Sequence, residues 1–325
     1  MRLKLVPTET NLDFFSLSKI TFGASVLAMI ASIVAFFMLG LNYGIDFRGG
    51  TTIRTDSVIT VDVGAYRAAL VPLNLGDVTI TEVIDPAAQL TGEITNVAQI
   101  RIQAQEGAES VTNEVITQIK AALNGVDPSM TFPQVDSVGP KVSGELIQTA
   151  FIAVVLAISA VLFYIWLRFE WQFSVGAVAA LVHDIVLTIG VFAVLQIKFD
   201  LAIIAALLTI VGYSLNDTVV VFDRVRENLR KYKKLELKGV LNMSINETLS
   251  RTVMTSVTTL IALVSLFVLG GDVIHGFVFA MIWGIIVGTY SSVFVASTIL
   301  LRLGVKRDWS KEAGKADGQY ANIDA

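Results

Sequence analysis

Residues 146–167 read LIQTAFIAVVLAISAVLFYIWL and contain no charged side chain over 22 positions. Residues 20–41 form a second uncharged stretch of 22, and residues 252–271 form a third of 20. A helix of about 20 apolar residues crosses the ~30 Å hydrocarbon layer of a bilayer. The chain of 325 residues is also 54% hydrophobic and 16% charged, with a mean hydropathy of +0.68. The sequence therefore predicts a membrane protein with several spans and excludes an ordinary soluble enzyme.

Three further stretches are long and apolar enough to cross a bilayer, although two of them are interrupted by polar residues. They are residues 171–197, 201–222 and 276–301. The fold class that follows is a multi-pass α-helical membrane protein with six transmembrane helices. The first helix is separated from the other five by about a hundred residues of a different composition.

The positions of Lys and Arg indicate the orientation of these helices. Of the 24 basic residues, 17 lie in four segments on one side of the predicted membrane: 1–19, 168–170, 223–251 and 302–325. Cytoplasmic segments carry an excess of Lys and Arg, so we expect both termini and the loop 223–251 to be cytoplasmic. The basic run 224–238 fits a topological anchor near anionic headgroups. Nucleic-acid or lipid binding by this run is the alternative.

The remaining composition excludes several kinds of site. The chain has no cysteine, which rules out disulfides, thiolate metal sites and cysteine nucleophiles, and its two histidines leave little for a zinc centre. The pI near 5.3 argues against nucleic acid as the main partner. We predict no metal site, and we interpret the first apolar stretch as an uncleaved span.

Between residues 41 and 141 the composition becomes globular, with 12 Asp or Glu against 6 Lys or Arg. Alternating and helical spacings of apolar residues predict strand, helix, strand, strand, helix and strand in that order. The predicted elements are 50–55, 61–70, 78–84, 99–105, 109–123 and 131–138. This order is that of a ferredoxin-like split βαβ motif. We therefore predict a small periplasmic α+β domain over residues 42–145.

A glycine-rich string, GIDFRGG, follows the first span and contains Gly44, Asp46, Phe47, Gly49 and Gly50. A phosphate-binding loop would instead follow a strand and open a helix, so this context is wrong for a nucleotide site. We interpret the string as a structural turn that brings the chain from the bilayer into the outer domain. A close backbone approach at such a turn is possible because glycine has no Cβ.

Asp217 lies inside the fourth predicted span, where an ionisable side chain is costly and points to function. It belongs to a face of small and polar residues that we expect to point into the bundle: Ala205, Thr209, Gly212, Tyr213, Asn216 and Asp217. Arg251 begins the fifth span at a similar depth, with Thr255 one turn beyond, and is the candidate partner. Burial favours the neutral acid and a guanidinium favours the carboxylate, so proton handling is one interpretation. A static buried pair or a helix cap is the other.

His183 and Asp184 lie near the middle of the third predicted span. They are either part of a proton relay or a mutually satisfied polar pair that holds helices together. An aspartyl protease could use Asp184 with Asp217, and a serine protease Ser214 with His183, but neither pair has the sequence context of such enzymes. We therefore predict no catalytic residue and no enzymatic activity.

Five motifs in the chain resemble those of the SecD/SecF family of bacterial Sec protein export. They are GIDFRGG at 44–50, VGP at 138–140, RFEW at 168–171, the His183-Asp184 pair, and VGYSLNDT at 211–218 running into FDRVREN at 222–228. The resemblance covers nearly the whole chain. With its single small outer domain, the chain is similar to SecF rather than to SecD or a fused SecDF.

The resemblance implies one half of a transporter like those of the resistance-nodulation-division (RND) class, with SecD as the other half, in the bacterial inner membrane. It implies that the proton motive force, and no cofactor, assists late preprotein translocation through SecYEG, with YajC and YidC as further partners. Asp217 and Arg251 would then control proton passage, with Thr255 in support. There are two alternatives. In one, the chain is half of a small-molecule exporter; in the other, it is a scaffold of the translocon that uses no energy.

Overall fold

The computed structural model describes residues 10–76, 78–83, 96–103, 111–270 and 272–305. Within these ranges, six helices are long and apolar enough to cross a membrane, which confirms the predicted number. They are Ser18–Leu39, Lys141–Arg168, Trp171–Leu195, Leu201–Lys231, Leu237–Leu269 and Ile274–Leu303. The protein is therefore mostly helical, with a small sheet-containing domain between the first and second of these helices.

Helices and strands are numbered in chain order. The described α-helices are α1 (Ser18–Leu39), α2 (Ile45–Arg48), α3 (Val63–Leu70), α4 (Asn113–Val126), α5 (Pro140–Arg168), α6 (Trp171–Leu195), α7 (Leu201–Lys231), α8 (Leu237–Leu269), α9 (Asp272–Ser291) and α10 (Ser297–Leu303). The described strands are β1 (Asn42–Tyr43), β2 (Gly50–Ser57), β3 (Val78–Val83), β4 (Asn96–Gln103), β5 (Thr131–Val138) and β6 (Lys198–Phe199). A π-helical turn, Ser292–Ala296, joins α9 to α10, and the three together form the sixth membrane helix.

The outer domain contains a four-stranded sheet in the order β3-β4-β2-β5, with every neighbouring pair antiparallel. With α3 after β2 and α4 after β4, this is the predicted split βαβ arrangement. The ends of two predicted strands, at residues 84 and 104–105, and the first residues of the predicted helix 109–123 lie outside the described residues. The remaining predicted elements match observed ones within a few residues.

The core of this domain lies between one face of the sheet and the two helices. Ile53 and Ile100 from the central strands are buried against Tyr66 of α3 and against Ile119 and Leu123 of α4. The alternation of apolar residues along β4 and their helical spacing along α4 place these side chains on one face each. The opposite face of the sheet carries mostly polar side chains, such as Thr52, Arg54 and Gln99, together with Val83 and Val97.

The membrane bundle is built around α7, which packs against α6, α8 and α9. Two glycines of α9 let its backbone approach α7 closely, because small residues at a helix interface remove the spacing that a side chain imposes. A Cβ on Gly288 would lie 3.0 Å from the Cβ of Ser214, and a Cβ on Gly284 would overlap the side chain of Ile210. The helix α5, by contrast, is largely exposed within this chain.

The connection between the fourth and fifth membrane helices is almost entirely helical. The segment predicted as the loop 223–251 contains the end of α7 and the beginning of α8, and only residues 232–236 between them are not helical. Arg224 Nε donates to Glu247 Oε2 at 2.6 Å, and Asn228 Nδ2 donates to Ser244 Oγ at 3.0 Å. Charged residues lower the hydropathy here without disfavouring helix, which explains the difference. The cytoplasmic location of this hairpin stays a prediction.

Asp127, which follows α4, is buried and accepts several hydrogen bonds. The backbone N–H of Ser129 donates at 2.8 Å, the hydroxyl of Ser129 at 2.6 Å, and the hydroxyl of Ser57 also donates. These bonds, first that from the Ser129 hydroxyl and then that from Ser57, hold the pKa of Asp127 below its usual range. The carboxylate thus ties the end of α4 to the end of β2.

Because folding lowers the pKa of Asp127, its carboxylate contributes folding stability that is fully present above the unfolded-state pKa of about 4. This contribution is lost as the pH falls through the folded-state pKa. We expect Asp127→Asn to lower the free energy of unfolding of the outer domain at pH 7 by about 1–3 kcal/mol. Hydrogen exchange of the full chain in detergent, corrected for the intrinsic rate at each pH, measures this. Asp136→Asn, at an exposed position of the same sheet, is the control. Equal protection in both variants would contradict the assignment.

Candidate functional site

Among the side chains that the structure describes, two acidic ones are buried within the membrane helices. Asp184 on α6 has 1% of its surface exposed, and Asp217 on α7 has 4%. Ser214, which precedes Asp217 by one turn of α7, contacts Asp184, so the two acids belong to one region of the bundle. The two carboxyl groups differ in the number of hydrogen bonds that they accept.

The Asp184 carboxyl group joins three membrane helices. Its Oδ2 accepts from the hydroxyl of Ser214 on α7 at 2.6 Å and from the hydroxyl of Ser291 on α9 at 2.9 Å. Its Oδ1 lies 3.0 Å from Nδ1 of the neighbouring His183. Two hydroxyl donors and the contact with His183 offset the cost of burying the carboxyl group. Ser291 directly precedes the π-helical turn, a local irregularity that is frequent at functional sites.

His183 extends this network toward the first membrane helix. Its ring stacks on the ring of Tyr290, with centroids 6.1 Å apart. The Tyr290 hydroxyl donates to the carbonyl of Thr21 at 2.9 Å and lies 3.0 Å from Oγ of Ser25. Nε2 of His183 is buried without a hydrogen-bond partner among the described residues. This nitrogen can therefore form one further hydrogen bond.

Asp217 is less well satisfied than Asp184. Its Oδ2 is buried and has no hydrogen-bond partner among the described residues. It lies 16 residues into α7, which places it about 24 Å along the helix from the outer domain. A buried acceptor without a partner costs roughly 1–3 kcal/mol, and more when it is charged. A proton or a water molecule at this oxygen would remove that cost.

Arg251 lies on the neighbouring helix α8 and acts electrostatically on Asp217. No direct ion pair joins the two in the described part of the chain, and the Arg251 side chain is exposed on the surface of α8. Thr255 does not bridge them either, because its hydroxyl donates to the carbonyls of Arg251 at 3.2 Å and Thr252 at 2.9 Å within its own helix. Asp217 and Arg251 therefore lie on neighbouring helices without a direct ion pair.

One prediction about the face of α7 was wrong. Gly212 and Asn216 were expected to point into the bundle, but both are exposed, and no atom lies within 4 Å of a Cβ built on Gly212. Only Asp217 and the partly buried Tyr213 are turned inward from the predicted face. The reason is that α7 packs on α6 and α9 through its other face, and no helix in the described part of the chain covers the small residues.

Sequence reasoning also missed the roles of three hydroxyl groups. Ser214 was considered only as a nucleophile beside His183, and Ser291 and Tyr290 lie in a stretch of the sixth helix that is uncharged throughout. A spacing signal existed, since Ser214 and Asp217 lie one helical turn apart on the same side of α7. No local signal shows that a serine 107 residues after Asp184 donates to it.

Models of two protein families match the chain. The SecD/SecF C-terminal model, described as a protein export membrane protein, matches residues 118–306. The SecD/SecF GG motif model matches residues 34–56, which include the glycine-rich string Gly44 to Gly50.

Named relatives extend the match over the whole chain. A protein translocase subunit SecF from Cereibacter sphaeroides is 62% identical over 100% of this chain and 99% of its own length. SecF from Rhodobacter capsulatus is 58% identical over 96% of this chain and 94% of its own length. A fused SecDF from Brucella abortus is 40% identical over 98% of this chain and 41% of its own length.

Two solved structures of SecDF share the fold. A crystal structure from Thermus thermophilus, described as a translocon-associated membrane protein, has a TM-score of 0.81 and 32% identity over 93% of this chain. A second SecDF structure, in a super-membrane-facing form, has a TM-score of 0.67 and 34% identity over 97% of this chain. The chain spans 40% and 42% of those two structures, so it corresponds to one part of the fused proteins. The chain thus belongs to the SecD/SecF family of protein export membrane proteins, as the resemblance of its motifs indicated.

Proposed function

We propose that this chain and a SecD partner form a proton-driven unit that assists late translocation of preproteins through SecYEG across the bacterial inner membrane. In this proposal Asp217 takes up and releases the proton, and Arg251 and Thr255 control its passage. No cofactor is needed, because the proton gradient supplies the energy. Both termini are cytoplasmic in this scheme, and the outer domain faces the periplasm. YajC and YidC are further partners of the complex.

The observation that carries the proposal is the buried Oδ2 of Asp217 without a hydrogen-bond partner. On the adjacent helix, the buried Oγ1 of Thr252 also lacks a partner among the described residues. Thr252 lies 17 residues before the end of α8, so the two atoms have similar depths. Polar atoms that are left unpaired on facing helices favour entry of a water molecule or a proton. A purely static polar pair would instead be satisfied, as Asp184 is.

The energy available from one proton is sufficient for a conformational step. One charge crossing the membrane yields about 2.3 kcal/mol per 100 mV. A pH difference of one unit adds about 1.4 kcal/mol. Together these shift a two-state equilibrium by a factor of about ten to several hundred. Neutralising Asp217 would weaken its attraction to Arg251 and allow α7 and α8 to repack.

A helix-sized surface remains open beside Asp217 for the SecD partner. The exposed residues of α7 are small or polar and recur at intervals of three and four: Ala202, Ala205, Thr209, Gly212 and Asn216. Surfaces that face lipid carry large apolar side chains instead, as α1 does with Leu27, Phe37 and Met38. Small residues at this spacing suit close packing of another membrane helix. The fused SecDF relatives support SecD as the source of that helix.

The direct test is preprotein translocation in inverted membrane vesicles that contain SecYEG, SecD and this chain. We expect the wild type to stimulate a late step that an uncoupler abolishes. Asp217→Asn keeps the shape of the side chain but cannot ionise, so we expect it to reduce this stimulation to the level without the chain. Equal, uncoupler-insensitive stimulation by both proteins would leave only the role of a scaffold.

The route between the two buried acids gives a second test with a matched control. Ser214 and Ser291 donate to the same oxygen of Asp184, but only Ser214 shares a helix with Asp217. Each Ser→Ala change removes one hydrogen bond and should cost about 1–3 kcal/mol of stability. If His183 and Asp184 belong to the proton pathway, we expect Ser214→Ala to reduce uncoupler-sensitive translocation several-fold more than Ser291→Ala does. Equal effects of the two variants would make the Asp184 cluster a structural connection only.

A further inference from the structure

The glycine-rich string contacts the outer end of the helix that carries Asp217. We propose that Asp46 is a positioning residue that couples movements of α7 to the outer domain, through a hydrogen bond from the first backbone N–H of α7. This inference rests on the proposed function, because it identifies how a change at Asp217 reaches the periplasmic side. It assigns a mechanical task to a motif that otherwise looks like a simple turn.

The first contact is a helix cap supplied from a distant part of the chain. Oδ2 of Asp46 accepts a hydrogen bond from the backbone N–H of Leu201 at 3.0 Å, across 155 positions of sequence. Leu201 is the first residue of α7, and the preceding Asp200 makes no side-chain capping bond. The N–H groups of the first turn have no partner within the helix, and a carboxylate beside them is favourable. Asp46 therefore holds the outer end of α7.

Backbone pairing next to this cap strengthens the attachment. The strands β1 and β6 form a short parallel ladder, with Tyr43 opposite Phe199, and the N–H of Gly44 donates to the carbonyl of Phe199 at 2.8 Å. A Cβ on Gly44 would lie 3.1 Å from Cε of Lys198, so the two segments are in close contact. The ring of Phe47 packs on that of Phe199, with centroids 5.8 Å apart. The string and the start of α7 are thus held together as one unit.

The other end of the string leads directly into the centre of the outer sheet. Gly49 and Gly50 have φ of +72° and +128°, which only glycine adopts readily, and β2 begins at Gly50. The strand β2 is hydrogen-bonded to β4 on one side and β5 on the other. Gly50 pairs with Val138, the last residue of β5, so the domain enters and leaves the membrane region at adjacent positions. Gly49 donates its N–H to the carbonyl of Ile45 at 2.8 Å, and Gly50 is paired on both sides, so the two glycines join the string to the sheet without an intervening loop.

These contacts form a continuous connection from Asp217 to the sheet. A shift of α7 displaces Leu201, the cap passes the displacement to Asp46, and the turn α2 transmits it through Gly49 and Gly50 to β2. The hydroxyl of Ser143 on α5 donates to the carbonyl of Ile45 at 3.3 Å, so the second membrane helix provides a further contact with the same turn. Without the cap, the first turn of α7 is joined to the string only through β6, so less of its movement reaches the domain.

The absence of cysteine from the sequence allows a clean distance measurement in the assembled complex. Spin labels at Thr79→Cys on the exposed side of β3 and at Val194→Cys near the outer end of α6 report the position of the domain. The chain is reconstituted with SecD in liposomes, and distances are recorded with and without an imposed proton gradient. We expect the gradient to shift the wild-type distance distribution and to leave that of Asp217→Asn unchanged.

Four variants then isolate the cap. We expect Asp46→Ala to reduce the shift several-fold and Asp46→Asn to retain it, because an amide oxygen accepts the same hydrogen bond. Leu201→Pro removes the donor while Asp46 stays in place, and proline is well tolerated at the first position of a helix. It should therefore reproduce Asp46→Ala even if Asp46→Ala folds poorly. Asp200→Ala removes a neighbouring acidic group that does not bond to Leu201, and it should behave as the wild type.

The outcomes separate this inference from the proposed function. A normal shift in both Asp46→Ala and Leu201→Pro, together with loss of the shift in Asp217→Asn, would overturn the coupling role of Asp46 alone. Loss of the shift in Asp200→Ala and Asp46→Asn as well would show that charge at the helix end, and not the hydrogen bond, is responsible. No gradient-dependent shift in the wild type, or an equal shift in Asp217→Asn, would overturn the proposed function and this coupling with it.

Discussion

The low polarity of the bilayer interior makes every unpaired polar atom in the helix bundle costly, and the arrangement of α6, α7 and α9 follows from that cost. Asp184 meets it with donors from two other helices, which requires α9 to approach α7 closely through its glycines. Asp217, one turn beyond Ser214, has one buried oxygen without a partner among the described residues. The bundle thus combines one satisfied acid that joins three helices with one unsatisfied acid, to which the proposed function assigns the proton.

The fourth membrane helix, α7, connects the groups on which the proposed function depends. Its middle contributes Ser214 to the Asp184 cluster, and its inner half carries Asp217. Its exposed face is open to a partner helix, and its first N–H is bound by Asp46 of the outer domain. If this helix of 31 residues moves as one body, both of its ends are displaced together. In the proposed function, a charge change at Asp217 would move the outer end of this helix, about 24 Å away.

The sequence predicted the elements well and the contacts between them poorly. Hydropathy and alternation depend on each segment alone, so six spans and the order of strands and helices could be recognised. The cap of Leu201 by Asp46 and the bond from Ser291 to Asp184 join positions more than a hundred residues apart, and no local pattern encodes them. The exposed face of α7 was misjudged because a single chain cannot show which surfaces its partner covers. The helical hairpin after Phe222 was missed because charge lowers hydropathy but leaves helix propensity intact.

The proposed function requires Asp217 to exchange a proton across the membrane. This exchange can be measured by reconstituting the chain with SecD in liposomes, imposing a membrane potential, and following proton uptake with an enclosed pH-sensitive dye. We expect proton passage above that of empty liposomes for the wild type, and passage at the level of empty liposomes for Asp217→Asn at equal protein content. Equal passage through the wild type and the variant would contradict it.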